Sequence, residues 1–199
     1  MYLLRNSVWC ALVIALLSAA CERKPEQRVQ AFYNLDSLID MQVQRLVEMQ
    51  PSLEKEALIN GESERVVLQD LDSTMWAREL EIFRQLDLNE KTLNATQYQG
   101  EYGLRDATSN LAIIQYTAMN PLPLSYVRIY YQETPGKVRR IEGEIFEENR
   151  LYSSGRFLSM EFIDVNDGPA VVGYEIRGAQ KMILADSMKF VIKGTLTYD

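Results

Sequence analysis

Carboxylates are the only abundant side chains in this 199-residue sequence that could carry acid–base chemistry. The sequence contains no His, which removes the usual general base at neutral pH, the commonest metal ligand and every His-activated nucleophile. Glu142, Glu144, Glu147 and Glu148 fall in one predicted hairpin, where Glu142 and Glu144 share a strand face as a glycosidase pair must. Because nothing in the sequence places them in an apolar pocket, we interpret them as a solvated strand face and predict no catalytic residue and no enzyme.

Three neighbouring cations and one acidic loop are the other candidates for a ligand site. Lys137, Arg139 and Arg140 could bind a phosphate of lipid A or of a lipid headgroup, although a polar hairpin end is the simpler interpretation. Residues 164–168 (DVNDG) suggest a calcium loop but lack the Glu at its twelfth position, so we prefer a plain turn. The sequence therefore predicts no metal and no cofactor.

Three tyrosines lie close together in one predicted strand. Strand alternation places Tyr126 and Tyr130 on one face and Tyr131 on the other. A sheet with one helix-covered face needs aromatic residues on that face only, so we expect the inward ring to be buried and the outward ring to be exposed. An exposed ring would suit a binding surface, whereas the alternative is that the phenolic groups cover a half-solvated sheet.

The first 20 residues are predicted to be a signal peptide of the lipoprotein type. Arg5 precedes an apolar run at 8–17 and small residues at 18–20, and Cys21 follows. The ten apolar residues are too few to span a bilayer. Small residues before a Cys resemble the lipobox of bacterial lipoproteins, which implies cleavage before Cys21 and a diacylglycerol on its thiol. The alternative is an ordinary signal cut after residue 20 that leaves Cys21 free.

Cleavage before Cys21 would also remove Cys10, the only other cysteine, so the mature chain would contain no disulfide. Residues 21–24 would form a short lipid tether, because Pro25 favours the first turn of a helix. Such a tether keeps the folded body close to the membrane. The formal net charge of −7 gives the chain no electrostatic reason to hold nucleic acid.

The hydrophobic periodicity changes along the chain from that of helices to that of strands. It predicts amphipathic helices over 29–50 and 72–86, and alternation with period two beyond residue 96. We therefore predict a single α+β domain over 25–199, with N-terminal helices packed on a twisted, mainly antiparallel sheet of about six or seven strands. The helical part is expected within 25–90 and the sheet within 96–199.

The segment 53–68 is compatible with two structures. Its Glu and Lys residues suit a helix, whereas Asn60-Gly61 is a strong hairpin signal. We prefer the hairpin, since a type I′ turn there sets Glu56 opposite Arg65 and Leu53 opposite Leu68.

Three motifs together point to a family. They are Asn60-Gly61, the pattern Trp-x-x-Glu-Leu-x-x-Phe at 76–83, and the run GYEIRGAQK at 173–181 before the last strand. With the helical N-terminal part, they resemble small outer-membrane lipoproteins of Bacteroidetes over most of the mature chain. The resemblance implies an outer-membrane location and this architecture, and it carries over no catalytic residue.

Three Asp-Ser pairs, at 36–37, 72–73 and 186–187, match the Asp-Ser/Thr-apolar pattern that resembles periplasmic O-glycosylation sites of Bacteroidetes. We interpret the pair inside the first helix as structural and keep the other two as candidates. They make Ser73 and Ser187 possible O-glycosylation sites. Asp and Ser also form helix caps and turns, which explains both pairs without a sugar.

The sequence favours a lipid-anchored protein of the cell envelope that acts as a non-enzymatic binding or assembly module at the outer membrane, on either its periplasmic or its surface side. Its expected partners are membrane lipid, through Cys21, and an outer-membrane protein. Two alternatives stay open. One is a carrier that holds an acyl chain or other apolar ligand between the helices and the sheet, and the other is a carboxylate-based hydrolase.

Overall fold

The computed structural model describes residues 32–89, 96–166, 168–183 and 186–198. Within these ranges the chain forms two α-helices, one 3-10 helix and nine β-strands. The elements are, in chain order, α1 (Leu35–Met49), β1 (Ser52–Ile59), β2 (Glu62–Leu68), α2 (Ser73–Leu80), the 3-10 helix (Glu81–Leu86), β3 (Tyr98–Arg105), β4 (Ala112–Ala118), β5 (Leu124–Tyr131), β6 (Val138–Glu148), β7 (Tyr152–Val165), β8 (Gly168–Met182) and β9 (Met188–Thr197).

Helix α1 has polar residues at both ends that explain its length. The Asn34 side chain caps the first turn by accepting a hydrogen bond from the Ser37 amide at 2.8 Å. Gln50 ends the helix in the left-handed region with φ of 45°, directly before Pro51. The residues Leu35, Ile39 and Leu46 of the apolar stripe that the periodicity predicts are buried, and so is Leu38 beside them. The part of the predicted helix before Phe32 lies outside the described residues.

The second predicted helix, over 72–86, is present as two consecutive helical pieces. Asp72 caps α2 by accepting a hydrogen bond from the Met75 amide at 2.8 Å, and the chain then tightens into the 3-10 helix. Trp76, Leu80 and Phe83 are all at most 1% exposed, so the predicted stripe does face the core. Neither α1 nor α2 is long and apolar enough to cross a membrane.

The preferred structure for 53–68 is confirmed as a hairpin. Strands β1 and β2 pair with Leu53 opposite Leu68 and Glu56 opposite Arg65, as the type I′ turn predicts. Asn60 and Gly61 both have positive φ, at 50° and 96°, which this turn requires at its two central positions.

All nine strands belong to one antiparallel sheet, in the order β2-β1-β9-β8-β7-β6-β5-β4-β3. The α+β class and the antiparallel sheet are as predicted, but the number of six or seven strands is wrong. The two extra strands come from the hairpin inside the part expected to be helical, because β1 pairs with β9 along its whole length.

Among the described residues, the helices pack on one face of this sheet, which we call the covered face, and no helix packs on the opposite face, which we call the open face. Strand side chains such as Val127, Ile141, Leu158 and Tyr174 form one core cluster with those of the helices. The 3-10 helix approaches the sheet so closely that a Cβ on Gly143 would lie 2.6 Å from the Cδ2 atom of Leu86. The same Cβ would lie 2.9 Å from the backbone oxygen of Tyr126, which favours glycine at position 143.

Candidate binding face

The open face carries one row of polar side chains that crosses all nine strands. Each member lies directly opposite the next in the strand pairing. We call it the polar row, and its members in order from β3 to β2 are Glu101, Gln115, Arg128, Glu142, Ser159, Glu175, Lys193, Glu56 and Arg65. Opposite charges alternate along much of it, which favours the observed strand register.

Hydrogen bonds and ion pairs connect the polar row on both sides of its centre. Arg128 donates to the Gln115 Oε1 atom at 2.6 Å and to the Glu142 Oε1 atom at 3.2 Å. On the other side, the Lys193 ammonium lies 3.6 Å from a carboxylate oxygen of Glu175. Ser159 separates the two halves, because its short side chain lies between Glu142 and Glu175.

Glu142 is the buried centre of this network. It is only 8% exposed, and its carboxylate accepts a hydrogen bond from the Tyr130 hydroxyl at 2.8 Å as well as from Arg128. The Arg140 Nε atom lies 3.6 Å from its second oxygen. Burial, and then the hydrogen bond to Glu142, raise the pKa of Tyr130 above its usual value. A buried carboxylate with this many donors is compensated and held in one orientation.

Three arginines lie over aromatic rings on the same face. The guanidinium carbon of Arg140 is 3.9 Å from the ring centre of Tyr130, and that of Arg128 is 4.7 Å from Tyr126. Arg177 lies 4.2 Å above the ring of Phe157. These distances are those of cation–π contacts. The pairs present planar, pre-ordered surfaces at the middle of the sheet.

A cleft of about 440 Å³ opens where the polar row is interrupted. Small residues, Ser159 and Gly173, lie there between long charged side chains. The charged side chains that line it are Arg140, Arg177 and Lys193 on the cationic side and Glu142, Glu161 and Glu175 on the acidic side. The cleft can therefore both donate and accept hydrogen bonds while staying close to neutral.

The three predicted tyrosines are distributed as alternation requires, but one expectation about their exposure is wrong. Tyr126 and Tyr130 lie on the open face, and Tyr131 lies on the covered face against the core cluster. Tyr130 is nevertheless only 4% exposed, because it lies beneath Arg140 and beside Ile113. The outward ring of Tyr130 is thus buried between a charged and an apolar neighbour, and Tyr126 is the more accessible of the two open-face tyrosines.

The three predicted cations do not form a common patch. Lys137 donates to Glu133 at 2.6 Å within the β5–β6 turn, and Arg139 donates to Asp164 at 2.5 Å. The hydrogen bond from Lys137 lowers the pKa of Glu133, and that from Arg139 lowers the pKa of Asp164. Of the three, Arg140 alone belongs to the open-face network, so an anion would meet cations that already have acidic partners.

The remaining carboxylate candidates are dispersed. Glu144 is exposed on the open face beside Phe157, while Glu147 accepts from Arg156 at 2.9 Å on the covered side. Glu142 and Glu144 therefore do not form an enclosed pair. In the suspected calcium loop, Asp164 is bonded to Arg139 and residue 167 lies outside the described part. Across the described residues, no group of three or more His, Cys, Asp or Glu is arranged to hold a metal ion.

Of the three predicted modification sites, only the two serines lie among the described residues. Cys21, with the predicted signal peptide and tether, lies outside the described residues. Ser73 is the exposed first residue of α2, next to the capping Asp72. Ser187 is exposed in the connection before β9.

The covered face is where a carrier would hold an apolar ligand, and buried side chains fill its centre. Trp76, Phe83 and Leu86 are each at most 1% exposed, so an acyl chain there would have to displace them. A cleft of about 370 Å³ lies at one end of this face, between the 3-10 helix and the start of β5. Tyr98 and Leu124 line it together with the Arg156–Glu147 ion pair.

Arg128 and Arg177 were not identified from the sequence as binding residues, although a signal for Arg128 was present. Positions 126, 128 and 130 alternate, so Arg128 shares the face of the two tyrosines.

Comparison with protein-family models, curated proteins and solved structures gave no match. Within the described residues, the features that point to a function are the buried Glu142 network and the rings covered by arginines.

Proposed function

We propose that this protein is a membrane-anchored lipoprotein of the outer membrane that binds a partner protein through the open face of its sheet and catalyses no reaction. The location rests on the signal-like sequence before Cys21 and on the resemblance to Bacteroidetes lipoproteins. The binding role is carried by one observation, the three Arg–aromatic contacts around the buried Glu142. Tyr and Arg are the residues that most often dominate protein–protein binding energy.

The chemistry of the face supports a protein partner in two ways. First, the rings of Tyr126 and Phe157 are large and already positioned by Arg128 and Arg177, so little side-chain entropy is lost on binding. Second, charges of both signs alternate across the face, which gives specificity for one complementary pattern. A surface that binds a polyanion needs an excess of cations, whereas this face carries charges of both signs.

The binding role can be tested by site-specific crosslinking in cells. A photoreactive amino acid in place of Tyr126 should capture a defined partner, whereas the same group in place of Met41, which is 37% exposed on α1, should not. Arg177→Ala should reduce the captured species about tenfold, in line with the loss of a hot-spot arginine. Lys137→Ala is the matched control, since Lys137 is a similarly exposed cation that also pairs with a Glu but lies in the β5–β6 turn, outside the polar row. Equal capture from positions 126 and 41, or no effect of Arg177→Ala, would contradict the proposed interface.

The anchor is tested independently of the partner. Metabolic labelling with a fatty-acid analogue should mark the wild-type protein, and Cys21→Ser should abolish the label and leave either unprocessed precursor or soluble protein. Persistent labelling of the Cys21→Ser variant would show that the acyl group is attached elsewhere.

A further inference from the structure

The exposed apolar side chains of the sheet are concentrated at one of its two ends. Four hairpin connections meet there: β1–β2, β4–β5, β6–β7 and β8–β9. Eight of the fourteen exposed large apolar residues in the described part lie at this end. We call it the apolar end, and its residues are Leu58, Ile59, Met119, Phe146, Leu151, Met182, Ile183 and Met188.

The most exposed of these side chains lie together. Leu151 and Ile183 are both 68% exposed, and the Ile183 amide donates to the Leu151 carbonyl at 3.0 Å. Met182, 54% exposed, lies on the same pair of strands. Leaving these apolar side chains in water is unfavourable, and their concentration at one end of the sheet indicates a contact surface.

The opposite end of the sheet has a different composition. Its turns contain charged and polar residues, such as Asp106, Glu133 and Lys137, that bond to one another or to the backbone. Among the described residues near that end of β7, Ile163 is 45% exposed, while Asp164 beside it is paired with Arg139. Hairpin turns in general therefore do not explain why exposed apolar side chains are concentrated at the apolar end.

We propose that the apolar end docks on the lipid bilayer and inserts its hairpin tips among the headgroups, with the open face standing free at the side. The proposal rests on the membrane anchor of the proposed function. The form of the surface supports a bilayer as the occupant. The four tips are separated by two strands each, about 10 Å, and present small groups of apolar side chains on protrusions. Separate apolar tips suit the headgroup region of a bilayer, in which apolar faces become buried by about 5–10 Å.

The charges at this end permit close approach to a membrane. Arg150, Lys181 and Lys189 are exposed there, and they offset Glu62, Glu148 and Asp186. The apolar end is thus locally neutral, while the whole chain has a formal charge of −7. Any docking through a more acidic surface would be opposed by anionic lipids.

The entry point of the chain also fits this orientation. The described chain begins at Phe32, whose ring lies 6.4 Å from that of Tyr98, at the start of β3. Tyr98 pairs with Ala118, the residue before Met119 of the apolar end. Eleven residue steps separate Cys21 from Phe32, and they could reach at most about 38 Å. A segment of this length is long enough for an acylated Cys21 and the apolar end to meet the same membrane surface.

The test uses fluorescence quenching in the full-length processed protein. Leu151→Trp places a reporter at the apolar end, and Ile163→Trp places a matched reporter near the other end of the same strand. The sequence contains two tryptophans: Trp9 lies in the predicted signal peptide, which processing removes, and Trp76 is 1% exposed. Each protein is reconstituted into vesicles of phosphatidylethanolamine and phosphatidylglycerol with brominated acyl chains. Acylation of Cys21 is measured on the same samples by mass spectrometry, and thermal melting checks that both variants fold.

We expect the added fluorescence of Leu151→Trp to fall about twofold in brominated vesicles, because the side chain enters the acyl boundary, and that of Ile163→Trp to be unchanged. Equal quenching of the two reporters, or none, with Cys21 acylated would overturn the docking inference and leave the anchor standing. Selective quenching of Leu151→Trp without acylation would support docking and overturn the proposed anchor. No quenching and no acylation would overturn both.

Discussion

The covered face and the open face of the sheet bury side chains by different physical means. On the covered face, Phe83 and Leu158 are removed from water by other apolar groups, so their burial is driven by the hydrophobic effect. On the open face, Tyr130 is 4% exposed but is buried by Arg140 above its ring and by Glu142 at its hydroxyl. Burial alone therefore does not identify the core of this protein. Because charged side chains are what bury Tyr130, the open face still presents charged groups to a partner.

The largest expected difference between the faces concerns two phenylalanines. Phe83→Ala removes a fully buried ring from the core cluster and should lower the free energy of unfolding by about 4 kcal/mol. Phe157→Ala removes a half-buried ring beneath Arg177 and should cost about 1 kcal/mol. Urea denaturation of both variants measures the difference. Similar losses would show that the open face is as much a part of the core as the covered face.

Removing a carboxylate from an ionic cluster should likewise cost more stability at the covered face than at the open face. Glu79 on α2 accepts from Lys55 at 2.8 Å and from the Tyr174 hydroxyl, and its side chain is only 15% exposed. Burial and this hydrogen bond raise the pKa of Tyr174. Glu79→Ala leaves both partners without their acceptor in a partly buried site, so the free energy of unfolding should fall by about 2–3 kcal/mol. Glu175→Ala, in a cluster whose Glu is 29% exposed, should cost below about 1 kcal/mol. A smaller loss for Glu79→Ala than for Glu175→Ala would reverse the comparison.

Two conservative changes in one strand separate polar from apolar burial. Tyr130→Phe keeps the ring but removes the donor to Glu142, so it should lower the free energy of unfolding by about 1–2 kcal/mol. Tyr131→Phe, on the covered face, should change it by less than about 0.5 kcal/mol. Thermal melting of the two variants at one pH is sufficient. If Tyr130→Phe proves neutral, the hydroxyl bond to Glu142 is not what holds Tyr130 in place.

A further loss of stability is expected at alkaline pH. Burial raises the pKa of Tyr198 from 10.0 to about 12, and burial also raises the pKa of Tyr98 and Tyr174. Since the folded state keeps these phenols protonated, their contribution to stability is complete below pH 10 and is lost as the pH rises toward 12. Absorbance of tyrosinate and circular dichroism, followed together, should show these phenols ionising only as the fold is lost. Complete ionisation near pH 10 without a change in circular dichroism would contradict this.

Features set by neighbours in the chain could be predicted from the sequence. The Asn60-Gly61 turn fixed the register that places Glu56 opposite Arg65, because only a few residues tolerate positive φ at both central positions. The same kind of local chemistry predicted a cap at Asp72 or Ser73, and the structure shows that it is Asp72. Alternation correctly separated Tyr130 from Tyr131, because side chains in a strand point to opposite faces by geometry alone.

Features that join distant segments were decided only by the tertiary structure. The hairpin became part of a nine-stranded sheet because Ser52 pairs with Thr197, a contact that no local pattern encodes. Glu142 was expected to be solvated, yet it is buried because Arg128 and Tyr130, from the neighbouring strand, provide donors. Alternation gives the face of each residue, but the identity of its cross-strand neighbours depends on register and strand order. These depend on packing across the whole sheet, and they are what turned separate charges and rings into one binding face.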